Sequence, residues 1–320
     1  MDEFRIPIGD WVDVAVDWLR DNVKWLFDFI STVVGFLVDG LADILNTLPA
    51  PAMIVLFALV AWLVRSWQLA VGTAAMLVLV VAMDQWEQSM QTLALVLIAA
   101  LVTILISVPL GIWAARNDTV SATVKPVLDL MQTMPSLVYL IPAMVFFGAG
   151  VVPGVVATVI FSMPPGVRLT ELGIRGVDSE TVEAGHAFGA TPSQILRGIQ
   201  LPLAMPTIMA GINQVIMLAL SMAVIAGMAG ADGLGKEVAL ALGTLDIPRG
   251  VEAGLGVVII AVFLDRVTAA MGNPAAFRSS LLGMLAQRRN QQRRALAESQ
   301  AKQEAAASRE AETVAASGVR

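Results

Sequence analysis

The 320-residue chain has no cysteine and only one histidine, His186. The absence of cysteine excludes disulfide bonds, thiolate metal sites and cysteine nucleophiles, and one histidine leaves little room for histidine-based metal or acid–base chemistry. Charged residues are scarce as well, at 14% of the chain against about 25% in soluble domains. Hydrophobic residues make up 57%. This composition is typical of a membrane protein.

Long uncharged runs mark the candidate membrane spans, because a helix needs about 20 mostly apolar residues to cross the hydrocarbon core. The run 130–167 is long enough for two short spans that separate near Gly148-Ala149-Gly150, and the last candidate span contains Asp265 and Arg266. The pattern predicts an all-α, polytopic bundle of about seven transmembrane helices. The predicted spans are 51–64, 69–83, 88–115, two within 130–167, 198–231 and 251–271.

The distribution of lysine and arginine predicts the orientation, since these residues accumulate in cytoplasmic loops. Most of the inter-span basic residues lie in alternate loops, whereas the short opposite loops at 84–92 and 149–154 carry none. Residues 1–50 hold nine acidic and three basic residues. With seven spans, the bias predicts that the N-terminus lies outside and the C-terminus inside. The basic residues assigned to the inner side are Arg65, Arg116, Lys125, Arg168, Arg175 and Arg197, followed by the arginines after 275.

These patterns divide the chain into four parts. Residues 1–50 are predicted to be a periplasmic, amphipathic segment, in which 10–30 form one helix and the stretch 32–48, interrupted by glycines and aspartates, lies in the membrane interface unless it spans. Residues 51–86 form the first two spans. A core follows at 87–275 and contains a polar loop at 164–202. Residues 276–320 are predicted to be a charged cytoplasmic tail whose arginine-rich start anchors the topology, and a regulatory role at the anionic inner leaflet is the alternative.

The polar loop has a definite local pattern. Residues 181–188 are predicted to form a short helix that ends at Gly189, because glycine adopts the turn conformation that costs other residues energy. Thr191 is a favoured N-cap and Pro192 a favoured first helical residue. The loop is predicted to be a rigid docking element, with Phe188 as one large apolar anchor.

The sequence Glu183-Ala184-Gly185, three residues, Gly189, nine residues, Ile199-Gln200-Leu201-Pro202 resembles the coupling loop of permease subunits of ATP-binding-cassette importers. The usual second alanine is replaced by Gly185. Longer stretches, 132–142, 201–214 and 219–235, are similar to permeases for glycine betaine, proline betaine and choline. The resemblance covers about 90–275. It implies the type I ABC importer permease fold and docking of an ATPase subunit at residues 183–189: Glu183, Ala184, Gly185, His186, Ala187, Phe188 and Gly189.

The resemblance further implies a multi-pass protein of the bacterial inner membrane that imports quaternary-amine osmoprotectants. Its expected partners are an ATP-binding subunit, a periplasmic or lipid-tethered substrate-binding protein, a second copy of itself and membrane lipid, with no nucleic acid. No cofactor is expected on this chain, because ATP and Mg²⁺ belong to the ATPase subunit; no phosphate-binding loop of the form Gly-x-x-x-x-Gly-Lys-Ser/Thr is present.

A quaternary ammonium group offers no hydrogen-bond donor, so aromatic faces and polarisable methionines are suitable partners for it. Tyr139 is the only tyrosine and lies between two prolines. Asn213 and Gln214 are neutral polar residues within a span, where hydrogen bonding between helices is their default explanation. Candidate pathway residues, for each of which packing in the core is the alternative, are Tyr139, Asn213, Gln214, Met217 and Met222.

Several other functions stay open. A permease for methionine or another amino acid shares the coupling-loop pattern. An ion-coupled carrier or channel is disfavoured because 88–115, 130–163 and 203–230 contain no charged residue for a proton relay. A membrane enzyme lacks a cluster of catalytic side chains.

Overall fold

A computed structural model describes residues 8–272, and this part of the chain is helical throughout, without a strand. The predicted tail at 276–320 lies outside the described residues. The described part of the chain also contains a π turn at Leu196–Gln200 and a 3₁₀ turn at Gly227–Ala229. The helices are α1 (Ile8–Asn22), α2 (Lys24–Thr47), α3 (Ala50–Val64), α4 (Trp67–Ala82), α5 (Trp86–Arg116), α6 (Asp118–Thr133), α7 (Ser136–Phe147), α8 (Val151–Arg175), α9 (Ser179–Ala187), α10 (Pro192–Ile195), α11 (Leu201–Ala226), α12 (Leu234–Thr244) and α13 (Ile247–Gly272).

Five helical segments within 8–272 are long and apolar enough to cross a membrane, or six if the bent pair α6–α7 forms one span. They are α2, α5, α8, α10 to the 3₁₀ turn, and α13. The helices α3 and α4, of 15 and 16 residues, are apolar but shorter. The polytopic helical bundle is confirmed, whereas the count of seven spans and the N-out, C-in orientation stay predictions.

Helix α8 lies at the centre of the bundle between α5 and α11. A Cβ atom built on Gly166 would lie 2.8 Å from the Ser107 Cβ of α5, and one built on Gly154 would clash with Ala226 of α11. Small residues allow such close approach, which gives van der Waals contact between spans in the absence of a hydrophobic driving force. Hydroxyl groups add polar contacts in the same seam: Thr103 of α5 and Ser162 of α8 lie 3.1 Å apart, both fully buried.

The first predicted span of 130–167 is not a straight helix. Helix α6 ends at Thr133, and α7 follows at an angle of 98°. Met134 is extended because the proline after it, Pro135, disfavours the helical conformation. Helix α7 has only 12 residues, about 18 Å at 1.5 Å per residue, so it does not reach across the hydrocarbon core by itself. The sequence did not predict α6 because the charged residues on one of its faces lower the mean hydropathy of the segment.

The N-terminal segment also differs from the prediction. The expected helix 10–30 breaks at Val23, and α2 then runs without interruption through Gly35, Asp39 and Gly40. Glycine costs about 1 kcal/mol in a helix interior relative to alanine. Packing of buried Val38 and Leu45 against the bundle offsets this cost.

The contacts of α2 lie at one end of the bundle. Phe27 stacks on Phe146 at the end of α7, and a Cβ atom built on Gly35 would lie 3.9 Å from the Val152 Cγ2 at the start of α8. The first turns of α2 therefore lie near the α7–α8 turn, at the end of the bundle opposite α9. Helix α2 then leads into α3, whose Phe57 packs against Phe263 of α13 with the ring centroids 5.3 Å apart. This path is consistent with an interfacial segment, although α2 is long enough to span.

Candidate coupling site and transport pathway

Helix α9 is formed and ended by local interactions. The Asp178 side chain accepts a hydrogen bond from the Glu180 N–H and caps the first turn. At the other end, Gly189 has φ +77°, and the N–H groups of Gly189 and Ala190 bond the carbonyls of His186 and Gly185. This is the glycine-ended Schellman arrangement. The predicted short helix and its glycine turn are confirmed, with the helix starting two residues before the expected Thr181.

The chain re-enters the bundle through a second capped helix. The Thr191 hydroxyl accepts from the Gln194 N–H, while the Gln194 side chain accepts from the Thr191 N–H. Pro192 occupies the first turn of α10, as the sequence predicts. Because this capping box satisfies free backbone donors at both positions, the loop has a fixed geometry between the π turn and α9.

Most of the predicted docking residues form one exposed surface. The Phe188 side chain is 91% exposed and projects from the end of α9. A phenyl ring left in water loses the benefit of apolar burial, so a partner surface that covers it gains free energy. The exposed members of the set are Glu183, Ala184, His186, Ala187, Phe188 and Gly189.

Gly185 has a different position, because it faces the chain's own α10–α11 junction. A Cβ atom at Gly185 would lie 2.8 Å from the Ile199 Cδ1 and 3.4 Å from the Ile195 Cγ1. The glycine lets α9 rest directly on these two isoleucines. Behind the α8–α9 turn lies a cleft of about 490 Å³, whose lining is Leu172, Gly173, Gly176, Val177, Asp178, Thr181, Leu203 and Thr207.

The candidate pathway residues separate into an unburied group and a buried group. Gln214 is exposed and Met217 half-buried, and both lie on a stripe of α11 that the rest of the chain leaves uncovered. Helical spacing places Ala210 and Ser221 on the same stripe, and both are exposed, as is Met228 in the 3₁₀ turn after α11. This stripe runs the length of α11 from the α9 end of the bundle to the opposite end.

Asn213 faces away from that stripe and joins α11 to α13. Its side-chain amide donates to the Asp265 Oδ1 at 3.1 Å, and its carbonyl oxygen accepts from the Thr268 hydroxyl. These bonds explain how Asp265 is accommodated within an apolar helix, because a charged group at membrane depth needs polar partners. Asn213 therefore contributes to packing between helices, which is the alternative considered from the sequence.

Tyr139 and Met222 are buried within the chain. The Tyr139 ring packs 6.0 Å from the Phe161 ring, its hydroxyl donates to the Met131 carbonyl, and Met222 is fully buried in the same cluster. The Tyr139 hydroxyl thus connects α7 back to α6 across the 98° bend. Both side chains support the wall behind the α11 stripe.

A family model for the inner-membrane component of binding-protein-dependent transport systems matches residues 107–272, which include α6 to α13. The chain belongs to this family. It is 46% identical to the glycine betaine/proline betaine transport system permease protein ProW of Escherichia coli K12, over 86% of this chain and 78% of the relative. It is 48% identical to the glycine betaine transport system permease protein OpuAB of Bacillus subtilis 168, over 82% of this chain and 94% of the relative.

The fold is also similar to solved structures. A chain of the MetNI methionine ABC transporter in inward-facing conformations matches 57% of this chain and 91% of its own length, with a TM-score of 0.53 and 20% identity. This likeness confirms the type I ABC importer permease fold. Together with the apolar helices and the permease relatives, it identifies a multi-pass inner-membrane protein, a transport subunit as the sequence predicts.

Sequence reasoning missed two features of the site. The segment 230–235 turns back into the bundle, where the Leu234 N–H donates to the Thr92 hydroxyl at 2.8 Å. The second feature is Glu171, a carboxylate with only 7% of its side chain exposed, which lies among charged residues of α6 and α8. The sequence did contain a clue to this site: Arg168, Glu171 and Arg175 are spaced by three and four residues, which places them on one face of a helix.

Proposed function

We propose that the chain is the permease subunit of an ATP-driven importer for quaternary-amine osmoprotectants: glycine betaine, proline betaine or choline. Two copies form the transport path, a binding protein delivers the solute, and a separate subunit binds ATP and Mg²⁺. The observation that carries the proposal is 46–48% identity, over more than four-fifths of the chain, to permeases named for glycine betaine. The likeness to the methionine transporter shows the fold alone.

The exposed surface of α9 is the docking element for the ATP-binding subunit in this proposal. Two capping arrangements hold α9 in place, and Phe188 offers one large apolar side chain to a pocket of the partner. A rigid contact of this kind can transmit movement, and a large, central aromatic residue commonly carries most of an interface's binding free energy. In this proposal ATP binds to the partner subunit.

The uncovered stripe of α11 is the proposed lining of the path. The Gln214 side chain can donate its amide N–H to a carboxylate and accept from bound water at its carbonyl oxygen, while Met217 provides a polarisable surface for a quaternary ammonium group. The path is closed when the stripe of a second copy faces it. Tyr139 and Met222 act as buried supports for this wall.

The transport cycle follows from these contacts. ATP closes the partner dimer and draws the two α9 segments together; the helices behind them rotate from an inward-facing to an outward-facing arrangement, and the binding protein releases its solute. ATP hydrolysis resets the cycle. The energy enters at α9, and the solute moves along α11.

Uptake of radiolabelled solutes by the reconstituted complex tests the proposal. Proteoliposomes containing the permease, the ATP-binding subunit and the binding protein are expected to accumulate glycine betaine or choline only when ATP is supplied on the side of the ATP-binding subunit. Methionine uptake would support the alternative amino-acid importer. Uptake driven by an ion gradient without ATP would contradict the proposal and favour a secondary carrier.

A further inference from the structure

Helices α6 and α8 face each other with charged residues that form a ladder of ion pairs. At one end, Arg175 Nη2 lies 2.8 Å from Asp118 Oδ1; at the other end, Arg168 pairs with Asp129. Glu171 lies between these pairs, with the Lys125 Nζ at 3.4 Å. We name these three contacts the α6–α8 ladder, made of Asp118, Lys125 and Asp129 on α6 and Arg168, Glu171 and Arg175 on α8.

Glu171 is the buried member of the ladder, with 7% of its side chain exposed, whereas its partner Lys125 is 55% exposed. Glu171 Oε1 accepts hydrogen bonds from the Ser121 hydroxyl at 2.6 Å and lies 3.0 Å from the Arg175 Nε. In the outer rungs both members are exposed, the two arginines at 37–38% and their aspartates at 65–92%, and solvent screens such pairs. A buried carboxylate that loses its partners is far more costly than an exposed one. Glu171 therefore holds α8 against α6 through Ser121 and Lys125, and the outer rungs extend the alternation of charge along both helices.

The order of charges along the ladder specifies one register. Helix α6 presents negative, positive and negative groups, opposite positive, negative and positive groups on α8. Sliding α6 by one turn, about 5.4 Å, brings Lys125 to Arg168 in one direction and Asp129 to Glu171 in the other. Like charges in direct contact repel, so both slides are opposed. The two helices are held against sliding by electrostatics as well as by packing.

The ladder connects the proposed docking element to the wall of the path. Arg175 is the last residue of α8, and α9 begins at Ser179. The same Arg175 donates to the Ala114 carbonyl at the end of α5. On the other side, α6 leads through the 98° bend to α7, and the Tyr139 hydroxyl bonds the Met131 carbonyl across that bend.

We propose that the α6–α8 ladder locks these helices in one register, so that α9, α8 and the α6–α7 elbow move as one rigid body during transport. The ladder residues are positioning residues: they touch neither solute nor nucleotide, and they carry the displacement of α9 to the helix that holds Tyr139. The inference rests on the proposed docking of an ATP-binding subunit at α9.

A charge-reversal cycle on the exposed rung tests the lock. Arg168→Glu places two negative groups together, and Asp129→Arg places two positive groups together; the double variant restores an opposite pair. In the reconstituted complex, each single variant is expected to lower the solute transported per ATP hydrolysed by about fivefold or more, while the ATPase rate stays within about twofold of wild type. The double variant is expected to recover most of the ratio. Glu171→Gln, which keeps the size and the Ser121 contact, is expected to lower the ratio as well.

A matched control is Lys24→Glu, which reverses one member of the Lys24–Asp28 pair at 3.0 Å. That pair lies within α2 and joins no two helices, so its reversal is expected to change neither uptake nor ATP hydrolysis. If the ladder were merely structural, uptake and ATPase activity would fall together, in proportion to the folded complex recovered. That result, unchanged ratios in the single variants, or a double variant no better than the singles would each overturn the proposal.

Distance measurements give a second, independent test. Since the chain has no cysteine, Ala122→Cys on α6 and Glu180→Cys on α9 can carry spin labels, with labelled copies diluted by unlabelled ones. The distance distribution between the labels is expected to stay the same with and without ATP in the wild-type background and to shift or broaden with ATP in Arg168→Glu. A wild-type distance that changes with ATP would overturn the rigid-body proposal. Failure of the proposed function itself would look different from failure of this inference, because the wild-type complex would then show no ATP-dependent uptake.

Discussion

Gly185 and Ile199 are in direct contact where α9 rests on the π turn: a Cβ atom at Gly185 would lie 2.8 Å from the Ile199 Cδ1. The residue that departs from the usual coupling-loop pattern is thus a packing residue of this chain and not part of the exposed surface. Ile199 Cδ1 is the end of a flexible side chain, so it can yield to one methyl group but not to a branched side chain.

Gly185→Val is therefore expected to displace α9, because overpacking typically costs about 1–3 kcal/mol. ATP-dependent uptake should fall while the amount of folded permease in the membrane stays similar. Gly185→Ala is the matched variant and should retain most of the uptake. Equal activity of the two variants would show that the contact with Ile199 does not position α9.

Phe188→Glu is expected to weaken binding of the ATP-binding subunit by about tenfold or more, since truncating or charging an interface anchor costs about 2 kcal/mol or more. Leu245→Glu is the control, because Leu245 is 85% exposed in the α12–α13 turn at the opposite end of the bundle. Affinity can be measured between the detergent-solubilised permease and the purified ATP-binding subunit. Equal loss in both variants would contradict docking at Phe188.

Adjacent residues of α11 are expected to differ in their effects. Asn213→Leu removes the bonds to Asp265 and Thr268 and should lower thermal stability, by about 0.6–1.7 kcal/mol if it follows hydrogen bonds in other membrane bundles. Gln214→Leu should leave stability unchanged and raise the solute concentration needed for half-maximal uptake. Thermal unfolding and concentration-dependent uptake separate the two; a stability loss in Gln214→Leu without a change in uptake would contradict its place on the path.

Gly166→Val is expected to destabilise the bundle because the new side chain meets Ser107 of α5 and Val215 of α11. A penalty of about 1–3 kcal/mol is typical of overpacking, and it should appear as a lower unfolding temperature in detergent. Gly243→Val on α12 is the control, since no atom lies within 4 Å of a Cβ built there. Combining Gly166→Ala with Ser107→Gly should recover stability relative to Gly166→Ala alone.

The parts of the structure that follow from neighbouring residues could be predicted from the sequence. The end of α9 at Gly189 and the start of α10 at Thr191-Pro192 depend on glycine, threonine and proline in adjacent positions, so the local rules are sufficient. Helices α5 and α13 follow from uncharged or nearly uncharged runs. The resemblance in 183–202 identified the family because this spacing combines several local constraints.

The features that depend on distant residues could not be predicted. Pro135 marks the bend between α6 and α7, but the charged face of α6 lowers its mean hydropathy, so the apolar pattern did not predict α6 as a helix of the bundle. The different positions of Met217 and Met222, one half-buried and one fully buried, depend on which face of α11 meets α8. The burial of Glu171 likewise depends on α6, because its hydrogen-bond partner Ser121 lies on that helix, 50 residues earlier in the chain.

The central claim is that a separate ATPase drives solute through this chain by way of α9. The most direct test measures glycine betaine uptake and ATP hydrolysis together in proteoliposomes, with loaded binding protein, for the wild type and for Phe188→Glu. The account predicts uptake strictly coupled to ATP hydrolysis in the wild type, and loss of uptake with retained membrane insertion in Phe188→Glu. Undiminished, ATP-dependent uptake in Phe188→Glu would contradict it.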